Sequence, residues 1–190
     1  RTILENNKKH IVVIDEAYCD FSEETAIPLL NEFDNLLIVR TSSKSYALAG
    51  ARIGFAPGNA EIISDLEKAK YSFNPYNLNR LSTELGALAM EDAEYFNKTT
   101  EEIKGNRGVL TEELKKLGFT VLDSGANFVF AKKDGEDGKN LYLKLKENGI
   151  LVRHFDKERI KDYLRITVGT RQQNEALILS LRRIIENENG

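Results

Sequence analysis

Lys44 stands in the segment Thr41-Ser42-Ser43-Lys44-Ser45-Tyr46-Ala47-Leu48-Ala49-Gly50-Ala51-Arg52-Ile53-Gly54. Upstream of it, an apolar run ends in Asp15-Glu16-Ala17-Tyr18. A lysine set among hydroxyls and followed by an arginine is suited to forming a Schiff base beside a phosphate. An acid and a phenol delivered by a neighbouring strand suit a pyridine ring. Together these residue types point to chemistry on pyridoxal 5'-phosphate.

Each residue type then has a physical task. The cofactor draws electrons only while its ring nitrogen stays protonated, and a buried carboxylate beside that nitrogen favours the protonated form. Asp15 is the candidate. Tyr18 can donate to the ring oxygen. Lys44 supplies the amine, and desolvation together with the cation Arg52 would favour its uncharged form. Thr41 and Ser43 offer hydroxyl donors to the phosphate, and Arg52 offers a planar fork that can hold two oxygens. Taken singly, each has an ordinary explanation: a turn aspartate, a solvated lysine, a surface ion pair. The joint pattern is far more specific than any member, because spacing and strand context agree.

The elements that must position these groups are legible as patterns. Ile11–Ile14 is a continuous β-branched run, the mark of a strand buried on both faces, and Leu36–Val39 is a second. A short helix over Glu24–Asn31 between them would complete a βαβ unit in a parallel sheet. Ligands of such sheets sit beyond the carboxyl ends of the strands, which puts Asp15, Tyr18, Thr41, Ser43 and Lys44 at one edge. Arg52–Ala56 reads as a shorter strand, Asn59 as an N-cap, and Leu78–Met90 as a helix. Tyr95–Leu117 carries a long helical pattern that Gly105 and Gly108 weaken by roughly 1 kcal/mol each. Beyond Gly118 come short strands at Phe119–Leu122, Asn127–Ala131, Leu151–Arg153 and Leu164–Val168, with a helix over Lys139–Asn148. Thr170 and Gln173 form a capping-box pattern ahead of a last helix. The expected domains are residues 1–94, part of a large cofactor-binding α/β domain, and residues 95–190, a small α+β domain.

Composition narrows the class. The chain has 190 residues, 41% hydrophobic and 30% charged, with a net charge of −3. That balance is ordinary for a globular protein and gives no reason to expect nucleic acid or an anionic membrane as partner. No apolar run approaches the roughly 20 residues that span a bilayer. The single cysteine, Cys19, excludes an internal disulfide and fits a reducing compartment. His10 and His154 have no metal-ligand spacing with each other or with Cys19, so no metal is expected.

At this point a resemblance enters. Asp15-Glu16-Ala17-Tyr18 followed by Phe21 is similar to the D-E-A-Y-x-x-F motif of fold-type I aminotransferases. Ser43-Lys44 with Leu48-Ala49-Gly50-Ala51-Arg52-Ile53-Gly54 resembles their S-K-x-x-x-L-A-G-x-R-x-G motif. Asn74–Asn79, Gly149–Arg153 and Leu164–Thr170 look like blocks of the histidinol-phosphate aminotransferase branch. The likeness runs from Ile11 to about Ile185 and implies a pyridoxal-phosphate-dependent transferase fold: part of a large, mostly parallel sheet domain plus a smaller α+β C-terminal domain. It implies that Lys44 carries the cofactor and moves the proton, Asp15 pairs with the pyridinium and Tyr18 with the ring oxygen. Thr41, Ser43 and Arg52 would hold the phosphate. Arg165 would bind a substrate carboxylate, and Arg153 a second anionic group; two arginines on strands of one domain fit a clamp for dianionic substrates.

The reaction so implied is transamination of histidinol phosphate with 2-oxoglutarate, giving imidazole acetol phosphate and glutamate, in the cytoplasm and in a homodimer. The partners are then a small-molecule amino donor and a 2-oxo acid. A decarboxylase of a phosphorylated amino acid and an aromatic aminotransferase share most of these blocks and stay open. From another class, a phosphoacceptor signalling domain could use Asp15 as acceptor, but it leaves Arg52 and the second domain without a task. The chain opens Arg-Thr-Ile-Leu and reads as an excerpt of a longer protein. Family members carry further cofactor contacts ahead of the first strand, so the excerpt alone is expected to be at best a weak catalyst.

Overall fold

The computed structural model describes residues 1–188. The chain divides into two compact units, Arg1–Thr99 and Thr100–Gly190.

The first unit is built on a three-stranded sheet in the order β1-β2-β3. β1 (Val12–Asp15) runs parallel to β2 (Leu36–Thr41), with Asp15 opposite Val39. β3 (Gly54–Phe55) returns antiparallel, with Gly54 opposite Thr41. Gly54 is needed there, because a Cβ would stand 3.0 Å from the Arg40 carbonyl. Leu36, Leu37 and Ile38 are buried, as a continuous apolar run implies. β1 differs from expectation. Among the described residues it is an edge strand: Val12 and Ile14 face the core beside Leu4 of α1 (Thr2–Asn6), Leu36 and Ile38, while Val13 is 56% exposed. Within these residues the β-branched run is covered on one face only.

The connection between β1 and β2 also differs. In place of a helix over Glu24–Asn31 there are two 3₁₀ segments, Cys19–Phe21 and Ile27–Asn31. Pro28 sits in the first turn of the second, where its missing N–H is tolerated, but too few residues follow to propagate an α-helix. Phe21, 1% exposed, anchors this excursion. After β3, α2 (Ala60–Phe73) starts at Asn59, whose side chain accepts from the Glu61 amide at 2.8 Å. α3 (Arg80–Glu91) is capped likewise by Asn79, bonded to Ser82 N at 2.9 Å.

α4 (Ala93–Lys116) runs unbroken for 24 residues through Gly105 and Gly108. A Cβ at either glycine would meet nothing within 4 Å, so they dilute helix propensity without bending the helix.

The second unit is α+β: a four-stranded antiparallel sheet of β4 (Phe119–Leu122), β5 (Phe128–Lys133), β7 (Leu164–Thr167) and β6 (Arg153–His154), in that order. α5 (Gly138–Glu147) and α6 (Arg171–Glu188) pack on it through Leu141, Leu145, Leu177 and Leu181. The capping box forms: Thr170 N donates to Gln173 Oε1 at 2.9 Å and Gln173 N to Thr170 Oγ1 at 3.3 Å.

Candidate functional site

The first unit gathers six of the expected groups at the carboxyl edge of its sheet. Asp15 ends β1 and Thr41 ends β2. Because the two strands are parallel neighbours, the segments that leave them travel side by side. The Glu16 amide extends the ladder one step, donating to the Val39 carbonyl at 2.9 Å. Tyr18 then faces Lys44, whose Nζ lies 5.3 Å from the centre of the phenol ring.

The lysine segment is closed on itself. Ser42 N donates to the Ile53 carbonyl at 3.1 Å, Leu48 N to the Ser42 carbonyl at 3.0 Å, and Ala47 N to the Lys44 carbonyl at 3.1 Å. Thr41 Oγ1 donates to the Ile53 carbonyl at 3.3 Å and accepts from the Ser43 amide at 3.1 Å. These bonds hold Thr41 and Ser43 in one turn and bring Ile53, the chain neighbour of Arg52, against it. The closure needs left-handed backbone at two residues with side chains, Ala47 (φ 55°) and Arg52 (φ 58°). Such conformations cost of order 1–3 kcal/mol each and persist where surrounding structure enforces them, commonly at functional sites. At Arg52 the enforcement is visible: Nη1 donates to the Ala49 carbonyl at 3.2 Å. Behind Arg52, Ile53 rests on α3 at Gly86, where a Cβ would come within 2.8 Å of Ile53 Cδ1. The buried Ser42 hydroxyl finds no hydrogen-bond partner.

One expectation is corrected. Lys44 and Asp15 are both exposed, so the burial expected around them is not supplied by the described residues. Asp15 Oδ1 accepts from the Ala17 amide at 2.9 Å, an Asx-type turn that fixes its carboxylate at the strand end.

Sequence reasoning passed over the charged groups directly beneath this edge. Glu16 is buried at 8% exposure. Its Oε2 accepts from Arg40 Nε at 3.0 Å and Nη2 at 2.7 Å, and its Oε1 from the Ala26 amide at 2.5 Å. Thr25 Oγ1 donates to Glu16 and accepts from Arg40 Nη2 at 2.9 Å. Burial pushes the Glu16 carboxyl up, but the Ala26 amide, Arg40 and Thr25 outweigh it and hold it below the ordinary glutamate value. Burial alone would lower the Arg40 guanidinium; Glu16, Cys19 and Asp20 raise it instead. Asp20 lies 3.9 Å from Arg40 Nη1 and accepts from the Ser45 hydroxyl. Cys19 Sγ donates to the same carboxylate at 3.5 Å, and its thiol is pushed up to about 12 by burial and by Asp20. That makes Cys19 an inert, part-buried thiol. Two signals could have revealed the group: an arginine inside an otherwise apolar strand at Arg40, and an acid directly following Asp15.

In the second unit the two arginines are cross-strand partners. Arg153 on β6 is in register with Arg165 on β7. Both guanidinium groups lie over the ring of Phe155, at 5.5 and 5.8 Å, and Arg165 also over Phe128 at 5.2 Å. Among the described residues neither pairs with a carboxylate. Like charges directly opposite are destabilising, and an anion held between them would relieve this. The aromatic rings offset part of the repulsion through cation–π attraction. A groove of about 690 Å³ between α4 and α6 contains none of the expected site residues.

A lysine over a phenol ring at the edge of a parallel strand pair, with an acid at one strand end and an arginine further along the lysine segment, points to a class, and comparison with known proteins defines it. Residues 1–181 match the model of the family aminotransferase class I and II, and the chain belongs to that family. Among curated proteins it is 44% identical over 187 residues to the histidinol-phosphate aminotransferase of Clostridium beijerinckii, covering 98% of this chain and 52% of that protein. Among solved structures it superposes on the histidinol-phosphate aminotransferase of Clostridium acetobutylicum with TM-score 0.88 at 27% identity, covering 98% of this chain and 58% of that one. It also superposes on the Sinorhizobium meliloti histidinol-phosphate aminotransferase in complex with pyridoxal 5'-phosphate, with TM-score 0.83 at 25% identity, covering 95% and 50%. The chain spans about half the length of the curated relatives it matches.

Proposed function

We propose that the protein carrying this chain is a pyridoxal 5'-phosphate-dependent aminotransferase. It exchanges the amino group of histidinol phosphate with 2-oxoglutarate to give imidazole acetol phosphate and glutamate. The observation that carries this reading is Lys44 Nζ 5.3 Å from the Tyr18 ring, at the sheet edge where Asp15 and Thr41 end parallel strands. The names of the relatives at about 44–46% identity support the choice of substrate.

The donor set suits the cofactor's chemistry. When bound, the cofactor supplies an aldehyde and an electron-withdrawing ring. Lys44 would hold the cofactor through Nζ, and its amine would carry a proton to and from the substrate carbon. Asp15, a fixed carboxylate, favours a protonated ring nitrogen. Tyr18 donates its phenol to the ring oxygen. Ser43 would donate its hydroxyl to the phosphate, Thr41 would do so by turning its proton from the Ile53 carbonyl, and Arg52 would add a guanidinium fork. Arg165 and Arg153 take the anionic groups of the substrate. Large exposed apolar side chains on α2 and α3 and between them, including Phe73, Tyr76 and Leu81, support a homodimer. We place the reaction in the cytoplasm, a reducing compartment that suits the free Cys19 thiol.

The test is amino transfer by the whole protein loaded with cofactor. Histidinol phosphate and 2-oxoglutarate should give glutamate in equal amount to imidazole acetol phosphate. Release of carbon dioxide from a phosphorylated amino acid, without glutamate formation, would overturn the reading in favour of a decarboxylase.

A further inference from the structure

The deepest-set charged group of the first unit lies under the lysine segment, not in it. Glu16 follows Asp15 directly, Arg40 precedes Thr41 directly, and Ser45 follows Lys44 directly. Each is the immediate chain neighbour of a residue with a proposed chemical task. The three are joined through Asp20: Arg40 pairs with Glu16 at 2.7 Å and approaches Asp20 at 3.9 Å, and the Ser45 hydroxyl donates to the other oxygen of Asp20. Ser45 is 8% exposed and Glu16 also 8%, so these ties are shielded while Lys44 itself is exposed. Asp20 is two residues beyond Tyr18. The Ser45–Asp20 bond therefore lies near the Lys44–Tyr18 approach, one residue along the lysine segment and two along the other. Tyr46, the next residue after Ser45, stacks on Phe96 with ring centres 4.6 Å apart.

We infer that Asp20 and Ser45, with Arg40 and Glu16 behind them, are positioning residues that fix the Lys44 amine relative to Asp15 and Tyr18. The inference rests on reading Lys44 as the reactive lysine. An exposed lysine on a four-carbon stem has many rotamers, and an amine that must move one proton between defined atoms needs its backbone fixed. The Asx turn fixes Asp15 and the β1–β2 ladder fixes the two strand ends. Beyond those ends, Ser45–Asp20 is a side-chain bond that ties the lysine segment to the segment bearing Tyr18. Arg40 approaches one oxygen of Asp20 while the other accepts from Ser45, and Glu16 with Ala26 and Thr25 keeps Arg40 in place. A displacement of about 1 Å at a reacting group can cost roughly 10²-fold in rate.

The experiment compares Ser45→Ala, Ser45→Thr and Asp20→Asn in the whole protein with three readouts. These are kcat and KM for the amino donor, the pH at which the absorbance band of the lysine-bound cofactor titrates, and amide exchange of residues 43–46 in cofactor-free protein. Ser45→Ala should lower kcat by roughly 10–100-fold with KM little changed, move the titration midpoint, and speed exchange around Lys44. Ser45→Thr, which keeps the hydroxyl, should restore all three. Asp20→Asn keeps an acceptor without the charge and should fall between, and it decides the matter if Ser45→Ala does not fold. Wild-type values in all three readouts for Ser45→Ala, or no rescue by Ser45→Thr, would overturn the inference. Should the wild type carry no cofactor on Lys44, the reading of the site fails, and the exchange readout alone decides the tether: faster exchange upholds it, unchanged exchange overturns it.

Discussion

The substitution of glycine by alanine should have opposite signs at Gly138 and Gly105, and the structure says why. Gly138 opens α5 just after its cap Asp137, and it is buried against the chain at Lys161–Asp162. A Cβ there would stand 2.5 Å from the Lys161 carbonyl oxygen and 2.8 Å from both C and Cα of Asp162. Ordinary contact needs about 3.5 Å, so the opposing backbone must recede by roughly 0.7–1 Å. That backbone is held: the Lys161 carbonyl bonds His154 Nε2 at 2.7 Å, and β7 begins at Leu164. Overpacking of this kind costs about 1–3 kcal/mol, offset by at most about 1 kcal/mol from reduced backbone freedom. A net loss of about 1–2 kcal/mol should lower the urea midpoint by roughly 0.5–1 M at a slope of about 2 kcal/mol/M. Gly105 lies inside α4 with nothing within 4 Å of its Cβ direction, so alanine there should stabilise by about 0.5–1 kcal/mol. Urea unfolding followed by far-ultraviolet circular dichroism measures both. A Gly138→Ala variant as stable as the parent, or a Gly105→Ala variant less stable, would refute the steric reasoning.

Two further outcomes are expected. The Glu16 carboxyl is held below its ordinary value in the folded state, so its stabilisation is complete above the unfolded value of about 4.3 and is lost as pH falls through the lowered folded value. The stability gap between parent and Glu16→Gln should therefore be widest near neutrality and shrink in acid; a gap independent of pH counts against the Glu16–Arg40 account. The facing arginines Arg153 and Arg165 should bind inorganic phosphate, raising stability by about 2.7 kcal/mol at a hundredfold excess over Kd. Thermal unfolding in phosphate against chloride of equal ionic strength should show this rise in the parent and lose most of it in Arg165→Met; an equal rise in both would remove the anion clamp.

Much of the local structure was legible because it rests on local physics. Phe119–Leu122 was read residue for residue, and Asn59 and Thr170–Gln173 cap helices as their side chains dictate. The parallel pairing of β1 and β2 followed from two apolar runs at the right separation. Local pattern could not tell that β1 lies at a sheet edge, since Val12, Val13 and Ile14 look alike wherever they sit. It also overrated Glu24–Asn31 as a helix, because a 3₁₀ turn and a short α-helix share the same apolar spacing. The ties from Glu16 to Arg40 and from Asp20 to Ser45 join residues far apart in sequence, and no periodicity announces them. The exposure of Lys44 and Asp15 was missed for the same reason: burial belongs to the neighbours, not to the motif.

The central claim is that Lys44 is the lysine that holds the cofactor. The direct measurement is to saturate the whole protein with pyridoxal 5'-phosphate, reduce with borohydride, digest and map the modified peptide by mass spectrometry. The account expects one stoichiometric label, on Lys44, absent in Lys44→Ala. A label on another lysine, or no label under saturating cofactor, would contradict it.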